Sequence, residues 1–191
     1  MGSYTDLLKT HGVGRIILAQ LTARFPFGML SLAFLLHVER VHHSYAAAGL
    51  VLGSMSIGQA IAGPLTSRLM GRLGMRRVLT ITLVVCAGAI IAMAVLPLEV
   101  WQFVVIGFIA GLSMPPVQPA VRTIYPKMVT SSQLTPLFSL DASAQEIIWV
   151  LGPVLATLVS IQVSTVAGIL TAAAFLIGGL GAVSPMAPVG G

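Results

Sequence analysis

Apolar residues fall into six long runs along the chain, separated by short polar or charged segments. The runs lie at about 14–37, 45–69, 78–98, 101–125, 135–161 and 163–184. Each is long enough to cross a bilayer core as a helix, which takes about 20 residues. None alternates polar and apolar residues with the period of two that a membrane-spanning β-barrel shows. The pattern therefore predicts an all-α polytopic membrane protein, with residues 1–191 as a single six-helix bundle.

The composition agrees with lipid as the surrounding medium. Of the 191 residues, 57% are hydrophobic and 8% are charged, whereas soluble domains carry about 25% charged residues. The first run does not resemble a signal peptide, because it is long and has Arg24 at its middle. The lipid bilayer is thus the first partner that the sequence predicts.

Basic residues are concentrated on one side of the predicted bundle. With the N-terminus in the cytoplasm, Arg40 is the single lysine or arginine in the outer connections, and Arg24 lies within the membrane. This positive-inside pattern predicts that both termini are cytoplasmic. The net charge of +5 then needs no nucleic acid to explain it, and no basic-aromatic pattern suggests one. The predicted cytoplasmic cations are Lys9, Arg15, Arg68, Arg72, Arg76, Arg77, Arg122 and Lys127.

Residues suited to metal binding or covalent catalysis are sparse. Cys86 is the single cysteine, so neither a disulfide framework nor a cysteine metal motif is present. His37, His42 and His43 cluster near the end of the first run, where a metal site is less favoured than a solvated loop. No nucleophile–base pair stands out. We therefore expect no enzyme activity, no metal ion and no cofactor.

Prolines recur at a constant offset between the two halves of the chain. Pro26 corresponds to Pro115, and Gly63–Pro64 corresponds to Gly152–Pro153. Each half has an odd number of spans, so the halves would have opposite orientations. The spacing predicts two inverted three-helix repeats, as in secondary transporters. The alternative is that the prolines merely kink the helices, because neighbouring helices satisfy the freed backbone groups.

Polar residues are confined to some of the spans. The third and sixth are almost purely aliphatic, as outer helices facing lipid should be. The first, second, fourth and fifth are therefore predicted to surround a polar interior. The candidate residues are Gln20, Arg24, Gly28 and Ser31 in the first span, Gln118 and Arg122 in the fourth, and Asp141, Gln145 and Glu146 in the fifth.

Ionisable residues at membrane depth are functional candidates, because each costs at least a few kcal/mol there. Arg24 could hold an anionic substrate group or form an internal ion pair that orients its helix; both stay open. A carboxylate removed from water holds a proton more readily, so Glu146 is the first candidate for proton coupling. Its alternatives are neutralisation by Arg24 or a hydrogen bond to neighbours. Asp141 lies at a depth close to that of Arg122, and we expect these two to pair.

Two motifs resemble one transporter family. The segment "GPLTSRLMGRLGMRRVL" at 63–79 resembles the loop between the second and third helices of the major facilitator superfamily, with matches at Arg72, Gly74, Arg76 and Arg77. The segment "VLGPVLA" at 150–156, with Gly152 and Pro153, looks like a reduced motif of its drug:proton antiporters. The position of the loop motif's aspartate is occupied by Gly71, or by Ser67 in an alternative alignment, so the carboxylate of that gating contact is missing from the loop. The fourth span also lacks the early arginine of the antiporter motif.

This resemblance implies the N-terminal six-helix half of a transporter, similar to bacterial efflux permeases of the inner membrane. It implies proton-coupled export of a small molecule by alternating access, together with a second copy or a complementary six-helix half. Gln20, Arg24, Met114 and Gln118 would line the substrate site. Glu146 and Asp141 would serve proton coupling, and the loop arginines, Arg122 and the Gly–Pro pair would serve gating or structure. The alternative is a non-transporting membrane subunit that binds another membrane protein through its open polar face.

Overall fold

The computed structural model describes residues 2–186, and this part of the chain is helical except at short connections. It contains no strand within those residues. The helices are α1 (Gly2–Lys9), α2 (Val13–His42), α3 (Tyr45–Leu73), α4 (Met75–Val95), α5 (Val100–Leu112), α6 (Val117–Met128), α7 (Ser131–Gln162) and α8 (Thr165–Val183).

Six segments of this structure are long and apolar enough to cross a membrane. They are α2, α3, α4, the α5–α6 pair, α7 and α8. The predicted all-α fold class is confirmed. The sequence pattern did not predict the short helix α1, which packs against α2 and α7.

The helix α2 is the centre of the bundle. It packs against α3, α7 and α8 and buries residues on every side, including Ile16, Met29 and Phe34. In contrast, α4 and α8 pack against each other and expose apolar side chains such as Val84 and Ile177. The expectation that the aliphatic third and sixth spans face lipid stays a prediction.

Two helix crossings bring backbones into direct contact through glycines. A Cβ atom on Gly28 of α2 would lie 2.8 Å from the carbonyl oxygen of Ile148 and 3.5 Å from the Cα of Gly152, both in α7. A Cβ atom on Gly111 of α5 would collide with the backbone of Met55 in α3. Small residues permit such close approach between membrane helices. The two crossings join the first span to the fifth and the fourth to the second, as two inverted repeats require.

Prolines have different effects on the two repeats. Pro26 lies inside a continuous α2, whereas Pro115 and Pro116 lie in a break between α5 and α6. Consecutive prolines remove two backbone donors and disfavour helical geometry at the residue before them. The fourth predicted span is therefore two half-helices, and the break occurs near its middle.

The connection between α3 and α4 is a single residue. Gly74 has φ 83°, a left-handed conformation that other residues adopt only with strain. Its N–H donates to the Met70 carbonyl, and its own carbonyl accepts from the Val78 N–H. The helix α3 thus continues to Leu73, through most of the predicted loop.

Candidate functional site

A buried ion pair joins α2 to α7. The Nη1 atom of Arg24 lies 2.9 Å from the Oδ1 atom of Asp141. Arg24 is 3% exposed and Asp141 is 7% exposed. A buried charge without a partner costs several kcal/mol. Each of these two groups lowers that cost for the other by supplying the opposite charge. Of the two roles left open for Arg24, the structure shows the internal ion pair.

Two further donors converge on the same carboxylate oxygen. The Gln20 side chain donates through Nε2 at 2.7 Å, and the Tyr125 hydroxyl donates at 3.1 Å. Both side chains are fully buried. Three donors from α2 and α6 therefore hold Asp141 Oδ1, and they fix α7 against both helices. Hydrogen bonds to an ionised acceptor are stronger than those between neutral groups.

The predicted pair between Asp141 and Arg122 is wrong. Asp141 pairs with Arg24, and the Arg122 side chain is exposed. Similar depth suggested that pair, but the break at Ser113–Pro116 sets the face of α6 independently of α5. That face buries Val121, Ile124 and Tyr125. Arg122 lies beside it with an exposed side chain, in the same cavity as Asp141 but not in an ion pair with it.

Two cavities lie beside the ion pair, and Arg24 lines both of them. The charged cavity has a volume of about 480 Å³. Its lining residues are Arg24, Gln118, Arg122, Phe138, Asp141, Ala142, Gln145 and Glu146. It brings two cations and two carboxylates to one surface between α2, α6 and α7.

The mixed cavity has a volume of about 500 Å³ and lies next to the break in the fourth span. Arg24, Gln118 and Gln145 line both cavities, and Met114 to Pro119 form one wall of this one. Phe27 and Trp149 add aromatic surface. Both volumes are within the usual range for small-molecule sites, and a discontinuous helix beside them is typical of transporter binding sites.

A model of the Major Facilitator Superfamily matches residues 16–188. The chain belongs to the major facilitator superfamily. Members of this family are transporters and not enzymes, so the chain is a multi-pass membrane protein of the transporter class. A search of curated proteins and a search of solved structures found no match.

Three of the four predicted substrate residues of this superfamily member line the mixed cavity. These are Arg24, Met114 and Gln118. Gln20 lines neither cavity, because it lies behind Asp141 with no exposed surface. The Oε1 atom of Gln20 receives no hydrogen bond from any described residue.

Glu146 lies on the exposed side of α7 and lines the charged cavity. Within residues 2–186 it forms no ion pair, and Arg24 is occupied by Asp141 instead. The alternative in which Arg24 neutralises Glu146 is therefore not realised. Its carboxylate stands free in the middle of a membrane-length helix.

The residues of the two family motifs have separate positions. Arg72, Arg76 and Arg77 are exposed around Gly74, and among the described residues they form no ion pair. Gly152 packs on the backbone of Gly28, and Pro153 lies inside the continuous α7. The Gly–Pro motif therefore belongs to the α2–α7 crossing, one helix turn beyond Trp149.

The histidines near the C-terminal end of α2 contact other parts of the bundle. His37 Nδ1 lies 3.0 Å from the Thr165 hydroxyl, and His42 Nε2 lies 3.0 Å from the Leu98 carbonyl oxygen. Both rings contact Phe103 edge-on. His37 and His42 belong to α2, so the predicted loop does not include them.

Sequence reasoning missed two contributors to the site, Tyr125 and the break in the fourth span. Tyr125 follows Arg122 by three residues, and nothing in its neighbourhood signalled a contact with Asp141. Gln145 was named among the polar residues of the fifth span, and it lies four residues after Asp141, hence on the same helix face. Its Oε1 atom receives no hydrogen bond from a described residue. The second missed contributor is the break at Ser113–Pro116, which the consecutive prolines could have indicated.

Proposed function

We propose that this chain is one six-helix half of a secondary active transporter that moves a small molecule by proton-coupled alternating access. The observation that carries the proposal is the free carboxylate of Glu146, which is exposed at the middle of α7. A carboxylate at that depth is unfavourable against lipid and belongs against protein or a water-filled cavity. A second six-helix bundle would supply that surface and complete both cavities.

We propose a second copy of the chain, or a complementary half, as this bundle. In this arrangement the two bundles rock about the cavities beside the broken fourth span. Arg24, Met114, Gln118 and Gln145 would contact the substrate. Glu146 would take up and release protons, and Asp141 would do so through its contacts with Arg24 and Gln20. The loop around Gly74 would gate the cytoplasmic side.

The direction and location of transport are further parts of the proposal. Export rests on the resemblance to drug:proton antiporters. A bacterial inner membrane and cytoplasmic termini rest on the same resemblance and on the basic residues. The exposed arginines around Gly74 would then contact the cytoplasm, lipid phosphates or the second bundle.

Transport by the whole chain in proteoliposomes tests this function. A pH gradient should drive flux of at least one member of a panel of small organic anions, cations and neutral compounds. Glu146→Gln should abolish that gradient-driven flux, and Asp6→Asn on α1 serves as the matched control. Flux that is unchanged in Glu146→Gln would remove the coupling role.

A second candidate is a membrane subunit that binds another membrane protein without transport. The observation that favours it is Gly71, which stands where the family motif has a carboxylate. Without that carboxylate the loop cations have no partner within the loop to close a gate. A stable complex with an unrelated protein, together with no flux of any panel compound, would support this second function.

A further inference from the structure

The hydrogen bonds around Asp141 are unevenly distributed. Gln20, Arg24 and Tyr125 all donate to the single oxygen Oδ1. Gln20 uses its N–H for this contact, and its buried Oε1 is left without a donor among the described residues. Buried side-chain oxygens normally have a hydrogen-bond partner. The Gln20 amide is thus oriented to donate to an ionised Asp141, and this orientation leaves its own oxygen Oε1 without a donor among the described residues.

A primary amide can serve either form of a carboxyl group. Its N–H donates to a carboxylate, and after a half-turn its oxygen accepts from the O–H of a carboxylic acid. The unpartnered Oε1 of Gln20 is the acceptor that a protonated Asp141 would need. The surrounding charged and titratable groups are Arg24 on α2, Arg122 and Tyr125 on α6, and Glu146 on α7.

We propose that proton uptake by Asp141 converts Arg24 into a binding site for an organic anion, with Gln20 as the residue that adapts to the proton. With Asp141 ionised, Arg24 is neutralised. When Asp141 takes a proton from water, its negative charge is lost, Gln20 turns to accept the new O–H, and Arg24 needs another anion. The inference rests on the proposed transport function, since it assigns a substrate class to the same cavities.

The cavity around Arg24 suits an anionic head group on an apolar body. Only Nη1 of the guanidinium contacts Asp141, and the planar guanidinium can hold two oxygens of a carboxylate or sulfonate side by side. Phe27, Met114 and Trp149 line the mixed cavity, where an aromatic or aliphatic body would pack. Arg24 lines this cavity as well.

The charge balance determines the direction of coupling. One proton and one anion enter together, so the net charge of the site is the same before and after binding. Each should strengthen the binding of the other by the same factor, because the coupling is reciprocal. Joint binding is the signature of symport. For an anionic substrate the inference therefore keeps the proton-coupled transport of the proposed function and replaces its export by uptake.

Binding of benzenesulfonate to the whole chain in nanodiscs tests this inference. The sulfonate stays ionised at all working pH values, so any proton taken up on binding belongs to the protein. Benzenesulfonamide is the uncharged control of the same shape. Wild type should bind the sulfonate more tightly as the pH falls and should take up protons in weak buffer. It should bind the sulfonamide without pH dependence and without proton uptake.

Substitutions then assign the effect to residues. Asp141→Asn fixes the neutral form, so it should bind benzenesulfonate about tenfold more tightly than wild type at neutral pH, without proton uptake. Arg24→Gln should lose binding. Asp6→Asn and Arg40→Gln are matched controls on exposed residues that line neither cavity. Tyr125→Phe removes one donor from the carboxylate, so it should keep binding and shift proton uptake to higher pH. Gln20→Met removes a partner of both forms of Asp141, but the bond to the ionised form is the stronger of the two, so it should keep binding and shift proton uptake in the same direction.

These two milder variants keep the test decisive if Asp141→Asn does not fold. No binding of benzenesulfonate to wild type, binding that does not depend on pH, or proton uptake unchanged in Gln20→Met and Tyr125→Phe would each overturn the inference. Failure of flux in proteoliposomes with coupled binding intact would overturn the transport function alone. Coupled binding that is absent while gradient-driven flux persists would overturn the anion site alone.

Discussion

The two glycine crossings of the bundle have the same packing but different chemistry. At the α2–α7 crossing, Gly28 meets Gly152, and the Arg24–Asp141 pair lies one turn or more away. At the α3–α5 crossing, Gly58 and Gly111 meet the partner backbones, and the neighbouring buried residues are Met55, Cys86 and Ala110. The inverted repeat thus repeats the backbone contacts and not the charges. Close packing defines the fold, and one crossing adds the polar site.

The largest expected effect is the loss of either crossing through a larger side chain. Gly28→Val and Gly111→Val should each destabilise the chain by about 3 kcal/mol or more, because backbone atoms stand where the new side chain would lie. Thermal unfolding and size-exclusion chromatography in detergent measure this. Gly53→Ala in α3 is the control, since open space surrounds that Cβ position. A tolerated Gly111→Val would contradict the second crossing.

The second largest effect should be a greater loss of stability at the polar α2–α7 crossing than at the apolar α3–α5 crossing. Asp141→Asn should cost about 3 kcal/mol, because it leaves the buried Arg24 without a counter-charge. The double variant Arg24→Gln/Asp141→Asn should recover part of that loss, as coupled residues do. Cys86→Ala beside the apolar crossing should cost only about 1 kcal/mol. Additive losses in the double variant would show that the ion pair does not matter to stability.

A smaller effect is expected for the hydroxyl that α6 contributes to the polar crossing. Tyr125→Phe should cost about 1 kcal/mol, since Asp141 keeps its contacts with Arg24 and Gln20. Thermal unfolding at neutral pH measures the loss. Tyr4→Phe on the exposed α1 is the matched control. A loss of stability as large as that of Asp141→Asn would mean that the Tyr125 hydroxyl contributes as much as the whole carboxylate, contrary to this expectation.

The smallest effect concerns the one-residue connection outside both crossings. Gly74→Ala should cost about 1 kcal/mol because of its positive φ. Gly71→Ala should be neutral or slightly stabilising, since Gly71 lies inside α3 with open space around it. The difference between the two unfolding temperatures is the measurement. Equal temperatures would contradict the left-handed geometry at Gly74.

Much of the fold could be predicted from the sequence. Long apolar runs follow directly from the bilayer as solvent, and matching proline positions indicate an inverted repeat. The polar face was also predictable, since Arg24 and Glu146 stand out against aliphatic surroundings. The partner of Asp141 was not. It depends on which residue of α6 points at Asp141: Tyr125 donates a hydrogen bond to it, whereas Arg122 lines the same cavity without pairing with it. The position of a residue along its helix can be read from the sequence, and it determines the depth of the side chain in the membrane. Which side chains at one depth come into contact depends on the rotation of each helix about its axis, which the sequence did not reveal.

The central claim is that Glu146 faces a water-filled cavity completed by a second bundle. Its most direct test is thiol labelling of Glu146→Cys and Val84→Cys in native membranes, each in a Cys86→Ala background. Both positions are exposed in the single chain. A water-soluble maleimide should modify position 146 and leave position 84, which we predict to face lipid, unmodified. Equal protection of both positions from the water-soluble reagent, with both modified by a lipid-soluble one, would contradict the account.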